Sequence, residues 1–523
     1  MRKLVSNFEA LDATEPYDVC IVGAGIAGSV LGLRLVRAGL RVLLVESGVS
    51  RPGSRRDPRN KHLGACEVVG DTAYSPPPAS RLVGGASNLW AGLCERFQRS
   101  DFDLRPYTQA SNPWPLGYGE LEPHYRAAER MFRVREAPTP RAGRLPPLSV
   151  RKADGTFEAW VRQHGLEAHG IAIATPASGA RVFQTARDLL PEFIAARNGT
   201  LVCGVTATRL RTDRNGRVVG TTCRTLDGTS KTARANTYVL AAGALDTPRL
   251  LLLSRSQRFP GGLGNDFDRV GRGFTDHAIV AVRGKIAGGW KRPWTATPRP
   301  LHTEQFHQIF RRQGLGAVHP FFYRGPRVPF AAPGSAGETS VAHAGLTARP
   351  SAGLGIVCRV EVKPSDANRL MLSPRMTDPF GDPSGRLEFN YSEEDLTLLS
   401  KTHGWLLRWL DRFGAAAVGS AGKVGWAGDM MGTCRMGADP RTSVCDGALR
   451  VHASPNLYLC GAETFPTGGA VSPALTIAAL ADRLADHVIA RARWCARTTA
   501  RPKRRMTTPA AATIPLVRRR PQP

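Results

Sequence analysis

Acidic residues are scarce in this chain. It has 43 Asp and Glu against 71 Lys and Arg, a formal net charge of +28 over 523 residues. Such an excess raises a nucleic acid, an anionic surface or an acidic partner as a ligand. Basic residues interleaved with aromatics are missing, however, and so is any recognisable nucleic-acid module, so no nucleic-acid partner is expected. Part of the excess is local: from Arg491 onward there are 10 Arg and Lys and no Asp or Glu. That stretch is rich in Pro, Ala, Thr and Arg and has no periodicity, so it cannot bury enough apolar surface to offset its ordering entropy. Residues 494–523 are therefore expected to form a disordered basic tail, with polyanion binding as the alternative.

Paired cysteines are also lacking. The 10 cysteines are scattered singly, with no Cys-x-x-Cys, and a chain of this length needs no disulfide staples. A reducing, cytoplasmic setting follows. There is no HExxH and no clustering of His with carboxylates at ligand spacing, so no metal centre is expected. The N-terminal stretch MRKLVSNFEALDATEPYDVC has no apolar leader core. No later run reaches the roughly 18 apolar residues of a membrane span.

What is present suffices for more than one domain: 523 residues, 42% of them hydrophobic. Residues Tyr17 to Glu46, YDVCIVGAGIAGSVLGLRLVRAGLRVLLVE, read as strand, glycine turn, amphipathic helix and strand, a βαβ unit. Between Thr200 and Arg234, β-branched runs broken at Asn215-Gly216 and Asp227-Gly228 predict a small antiparallel meander. The run TYVLAAGALDTPRLLLLS, Thr237 to Ser254, reads as buried strand, small-residue turn and helix. From about His277 to Gly425 long helical patterns are few, which predicts strands of a second domain. The strand NLYLCG and a helix after Pro473 close the ordered part.

Gly23, Gly25 and Gly28 form GxGxxG between a strand and a helix, and Glu46 ends the next strand. The first glycine allows the tight turn, the second a close approach of backbone to a pyrophosphate, and the third close packing of helix on strand. The helix N-terminus offers free N–H groups to phosphate. A carboxylate at Glu46 suits a ribose diol and disfavours a 2′-phosphate, which argues against NADP. This motif alone does not separate FAD from NAD, since both carry adenosine diphosphate.

Segments elsewhere make that choice. RLVGGASNLWAGLCERFQRSDFD from Arg81, NPWPLGYGELEPHYRAAERMF from Asn112, LAAGALDTPRLLLLS from Leu240, VGRGFTDH from Val270 and the long block MGTCRMGADPRTSVCDGALRVHASPNLYLCGAETFPTGGAVSPALTIAALADRLADH from Met431 occur in this order. Together with the N-terminal unit they resemble the glucose-methanol-choline (GMC) oxidoreductases from about Tyr17 to His487. The resemblance implies FAD as cofactor and hydride removal from an alcohol carbon, with the Asn112 segment pointing to sugars. It places Gly84, Gly85, Ser87, Asn88 and Gly92 along the flavin, with Trp90 packed nearby. It also implies an adenine contact from the Val205 backbone, passage of the ribityl-phosphate chain past Gly461 and Ala462, and a helix from Pro473 whose N-terminus faces the flavin pyrimidine edge.

Two positions depart from the family. Its C-terminal block usually opens His-x-x-Gly-Thr, and here the histidine position is Asp429. The second, usually Asn or His before the Pro of the terminal helix, is Ser472. Alcohol oxidation needs an acceptor for the hydroxyl proton, and Asp429 serves if burial lifts its pKa. Alternatively it anchors a cationic substrate such as an amino sugar, an aminoglycoside intermediate oxidised at a hydroxymethyl group being one case, or it is a helix cap in a flavoprotein that has lost catalysis. Ser472 either bonds the substrate oxygen or caps the helix with Pro473 at its first position. His277, His403 and His452 read as structural, and Cys434 as a buried small residue.

The expected fold is α/β. A discontinuous Rossmann-like FAD domain takes residues 15–105, 200–285 and 425–493, and an inserted substrate domain of antiparallel sheet plus helices takes 106–199 and 286–424. The electron acceptor is left open between oxygen, a quinone and another protein. Two rival readings stand beside this one: a flavin-binding homologue with a structural role, and a polyanion binder driven by the basic excess.

Overall fold

The computed structural model describes residues 8–49, 66–70, 74, 81–103, 113–135, 155–177, 182–287, 300–324, 353–417 and 424–499. Alternating apolar runs at both ends of the first βαβ unit put Tyr17–Val22 and Val42–Glu46 side by side in parallel, with the helix Ile26–Arg37 between them in sequence. The parallel sheet they begin has five strands. Its order is Leu457–Leu459, Ala235–Leu240, Tyr17–Val22, Val42–Glu46 and Gly199–Cys203. Numbered by sequence these strands run 5-4-1-2-3, the doubly wound order whose direction reverses beside the first strand. The dinucleotide crevice is expected at that reversal, outside the carboxyl ends of the strands, where Gly23 begins its turn. Tyr17–Val22, Val42–Glu46 and Leu457–Leu459 are short, largely apolar and buried runs, as the middle of a sheet covered on both faces requires.

The long terminal helix Ala474–Thr499 packs against Ile26–Arg37 and against the helix Tyr118–Phe132. Its buried face includes Leu475, Ala478, Leu480, Ala481, Leu484 and Val488. Arg34 adds ion pairs to Asp482 and Asp486 across that contact. The helix corrects one expectation: residues 494–499, assigned to a disordered tail, continue it. The rest of that expected tail, residues 500–523, lies outside the described residues.

A second sheet carries the other core. Ala278–Ile286, Gly353–Val360 and Val318–Arg324 pair antiparallel at its centre. The short strands Leu301–His302, His169–Gly170, Ala415–Ala417 and Val424–Trp426 extend it to seven. The 20-residue helix Glu393–Arg412 covers this sheet with Leu398, Trp405, Leu406 and Trp409. Ser392 caps it through the Asp395 amide, in a capping box that was legible as S-E-E-D but passed over. Ala278–Ile286 belongs to this sheet, although most of it fell inside the segment expected for the FAD domain. Conversely, Leu121, Tyr125 and Phe132, expected with the substrate domain, join the core of the parallel sheet.

The predicted meander forms as Thr206–Thr212, Val218–Arg224 and Ser230–Ala233, turning at Gly216 and Gly228, both with positive φ. A fourth sheet joins Arg369–Thr377, Pro383–Glu388 and Cys66–Val69.

Candidate active site

The glycine turn is built as its spacing predicts. A Cβ on Gly23, at φ +104°, would lie 2.5 Å from the Ala241 carbonyl oxygen, and one on Gly28 would lie 1.9 Å from the Gly23 carbonyl oxygen. Gly25 differs, because a Cβ there would meet no atom within 4 Å. Gly25 is also the N-cap of Ile26–Arg37, and no side chain caps the helix. Its first N–H groups therefore face open space, which is the anion-binding arrangement of a helix N-terminus.

Glu46 lies at the end of the second strand and is buried. Its Oε2 accepts from the Ala24 amide at 2.8 Å and its Oε1 from the Gly48 amide at 2.7 Å. Burial pushes its pKa up, against the pull of these two amides and of Arg81. Oε1 also accepts from the Ser47 hydroxyl at 3.5 Å, so it is Oε2 that keeps a lone pair for a sugar hydroxyl. The Val205 amide donates to the Glu46 carbonyl oxygen at 3.1 Å, which sets Val205 beside this carboxylate.

In the Arg81 block, Gly84, Gly85 and Gly92 all have positive φ, and a Cβ on Gly85 would come 3.1 Å from the Gly25 Cα. The loop thus lies close over the GxGxxG turn. Its polar side chains look inward. Ser87 donates to the Gly84 carbonyl at 2.6 Å and accepts from the Thr185 amide, and Asn88 Nδ2 donates to the Val83 and Gly85 carbonyls. Both brace the loop, so the expected flavin contact is carried by its backbone. Trp90 donates its indole N–H to the Phe183 carbonyl at 2.7 Å and packs edge-on to Phe132 and Phe183.

A second cluster forms around Asp429, approached from three directions. Residues 275–277 pair with 427–431 through Thr275–Met431 amide exchange and the Ala427 amide on the His277 carbonyl. This pairing puts His277 Nδ1 3.0 Å from Asp429 Oδ2. His277 Nε2 faces two acceptors, the carbonyls of Gly468 and Gly469 at 3.1 and 3.0 Å, so it must carry a proton. The His277 ring is fully buried and Asp429 retains 16% exposure. Histidine therefore orients, and carboxylate presents.

Arg359, from the large sheet, reaches the same carboxylate, with Nε 3.3 Å from Asp429 Oδ2. Burial alone would raise the Asp429 pKa, but Arg359 and His277 outweigh it and hold the group below the usual carboxylate range. This corrects the expectation of a base lifted by burial. The lifted carboxyl is the neighbouring Asp276, pushed to about 7 by burial and by the Asp429 charge. Asp276 accepts from the Asp429 amide at 2.7 Å and from the Tyr74 hydroxyl at 2.8 Å.

Ser472 is near the same place, with its amide 3.5 Å from Glu95 Oε2. The Ile477 amide donates to the Pro473 carbonyl at 2.8 Å, so Pro473 itself is the N-cap and Ser472 precedes it. The expected cap by Ser472 is thus displaced by one residue. Among the described residues the Ser472 hydroxyl makes no hydrogen bond. A buried network holds the loop before this helix: Gly469 donates to Glu361, and Arg311 bridges Glu361 and Asp101 at 2.8 and 2.7 Å. Gly461 and Ala462 form the turn after the last strand. A Cβ on Gly461 would lie 2.2 Å from Glu463 Oε2, which explains the small residue there.

Other assignments resolve simply. His452 bonds the Ser443 hydroxyl at 2.9 Å, and His403 lies on the Glu393–Arg412 helix. The Cys434 thiol is buried and pushed well above its ordinary pKa, first by burial and then by Glu463. Arg359 and the His277–Asp429 contact escaped sequence reading. Nothing local marks Arg359, which faces the site only because of strand register, whereas DH at 276–277 was already in view inside a matched block.

The arrangement fits FAD: an uncapped helix N-terminus, a carboxylate with a spare lone pair 18 residues past Gly28, a close-lying glycine loop and a second helix start at Pro473. Comparison with known proteins agrees. The GMC oxidoreductase family model matches residues 364–481 and the FAD dependent oxidoreductase model residues 18–259. Paromamine 6'-oxidase of Streptomyces fradiae is 28% identical over 92% of this chain and 93% of its own length. The fructose dehydrogenase large subunit of Gluconobacter japonicus is 26% identical over 90% and 97%. Among solved structures, pyridoxine 4-oxidase from Mesorbium loti superposes with a TM-score of 0.65 at 21% identity, covering 90% of this chain and 99% of that one, and shares the fold. By its glycine turn, the loop over it and its C-terminal block, the chain is similar to the GMC oxidoreductases and is an FAD-dependent oxidoreductase.

Proposed function

We propose that the chain oxidises a CH–OH carbon of a sugar or amino-sugar substrate. The observation that carries this reading is the Asp429 carboxylate, held ionised by Arg359 and oriented by His277 at the position where the family places its substrate-facing histidine. Bound FAD supplies the two-electron acceptor. The residues of the chain would hold it as follows: backbone N–H groups from Gly25 onward on the pyrophosphate, Glu46 on the ribose, the Val205 backbone on the adenine, the Gly84–Gly92 loop and Gly461–Ala462 along its length, and the helix after Pro473 at the pyrimidine edge.

At the substrate end, Asp429 accepts a hydrogen bond from the reacting hydroxyl, takes up its proton as the C–H bond breaks, and aligns that bond. The adjacent Ser472 hydroxyl donates to or accepts from the same oxygen. His277 acts through Asp429, since its own ring is closed off by two carbonyls. A carboxylate already matched by Arg359 is a weak anchor for a second cation, so an ammonium group is recognised at Asp429 only in part. The substrate class rests on the relatives: paromamine 6'-oxidase, 6'''-hydroxyparomomycin C oxidase of Streptomyces lividus and fructose dehydrogenase support an alcohol carbon of a sugar or aminoglycoside.

The test is anaerobic mixing of the purified yellow protein with paromamine, fructose and simple primary alcohols. Loss of the oxidised-flavin colour with the first two and not with the alcohols is expected. A flavin that stays oxidised with every sugar and amino sugar overturns the reading in favour of a structural flavoprotein.

A further inference from the structure

Three side chains from distant parts of the chain converge beside this site without serving it. Glu95 follows the Gly84–Gly92 loop, His302 ends the strand Leu301–His302, and His319 lies on Val318–Arg324 of the same sheet. Strand register explains the meeting. His302 pairs with Phe321, and His319 lies two residues before Phe321, on the same face. His302 Nδ1 is 3.0 Å from His319 Nε2, which is 3.4 Å from Glu95 Oε1, and the third edge of the triangle is 3.8 Å. All three residues are more than nine-tenths buried, at 4%, 2% and 0% exposure.

We propose that Glu95, His302 and His319 bind a divalent transition-metal ion of the zinc class, fastening the large sheet to the segment that leaves the flavin loop. Two nitrogens and one carboxylate oxygen are the donor set such an ion prefers. Ligands about 2.0–2.1 Å from a tetrahedral centre stand about 3.3 Å apart, the size of this triangle.

Hydrogen bonding alone serves the cluster poorly. Among the described residues Glu95 Oε1 is buried without a hydrogen-bond partner. A single N–H on His319 Nε2 would have to divide itself between two lone pairs, whereas a cation satisfies all three atoms at once. The other oxygen of Glu95 is engaged on its far side, 3.5 Å from the Ser472 amide and 3.7 Å from Arg359 Nη1, which orients Oε1 inward as an outer-shell partner does.

The experiment measures metal in the untagged flavoprotein by plasma mass spectrometry, then exchanges it against Co²⁺ and records the visible ligand-field bands. About one zinc-class ion per chain is expected, and in Glu95→Gln and His319→Gln about tenfold less or lower still, with flavin colour retained as the control for folding. Wild-type protein that carries no metal and takes up neither Zn²⁺ nor Co²⁺ overturns the proposal. So does equal retention in wild type and both variants. Wild-type metal content decides the matter even if a variant fails to fold, and neither result bears on the flavin chemistry.

Discussion

Arg359 stands between two carboxylates, its Nε 3.3 Å from Asp429 Oδ2 and its Nη1 3.7 Å from Glu95 Oε2. One guanidinium thereby couples the substrate-facing acid to the cluster behind it, and at Asp429 it is the leading influence that opposes the neutralising effect of burial.

Replacing Asp429 with Asn keeps the shape and removes the charge. The rate of anaerobic flavin reduction should fall about 100-fold while FAD content stays the same. Because the wild-type group titrates below the ordinary carboxylate range, it stays ionised as pH falls through that range. Stopped-flow reduction should therefore show no acid limb from this group between about pH 8 and 5. An unchanged rate in the variant removes Asp429 from the reaction.

The glycines of the turn separate two kinds of damage. A methyl group at Gly28 would lie 1.9 Å from a backbone oxygen, so Gly28→Ala should destabilise the apoprotein by about 2 kcal/mol or more. At Gly25 the chain leaves room, and its φ of −73° suits alanine. Gly25→Ala should leave apoprotein melting unchanged and weaken FAD binding about tenfold, since the methyl occupies space needed by the phosphates. Thermal melts with and without FAD read both effects, and equal loss of stability in the two apoproteins would contradict the distinction.

Glu463 is fully buried, neither carboxylate oxygen has a hydrogen-bond partner among the described residues, and burial lifts it to about 8. A carboxyl raised in the folded state costs nothing below its unfolded pKa and becomes destabilising as pH rises toward the folded value. Glu463→Gln should therefore gain stability relative to wild type by roughly 1 kcal/mol per pH unit between about pH 5 and 8, and little beyond. Urea melts across that range test it, and a difference independent of pH would show that Glu463 is ionised or wetted in the native protein.

Local pattern disclosed much of this molecule. The βαβ unit, the meander with its Asn-Gly and Asp-Gly turns and the helix after Pro473 all depend on neighbours in sequence, and each was legible. Glu46 was legible because strand, turn and helix fix its distance from Gly28. Asn88 bonds only its near neighbours Val83 and Gly85, but the contacts of Ser87 and Trp90 depend on Thr185 and Phe183, about a hundred residues away. Arg359, His302 and His319 were opaque for the same reason. Strand register between segments hundreds of residues apart from the glycine turn decides which face each side chain takes, and a one-residue slip would turn them all outward. The direction of the Asp429 shift followed from Arg359 and was hidden with it.

The ordering of the parallel sheet has a consequence for biosynthesis. Its first strand waits between Val42–Glu46 and Ala235–Leu240, and the sheet is completed by Leu457–Leu459 and by a terminal helix laid on Ile26–Arg37. A ribosome must therefore deliver almost the whole polypeptide before the opening segment finds its last neighbours. Nascent chains of intermediate length display the uncovered apolar flank of Ile26–Arg37, which makes them natural clients for chaperones and makes truncation from the far end more damaging than its distance from the glycine turn would imply.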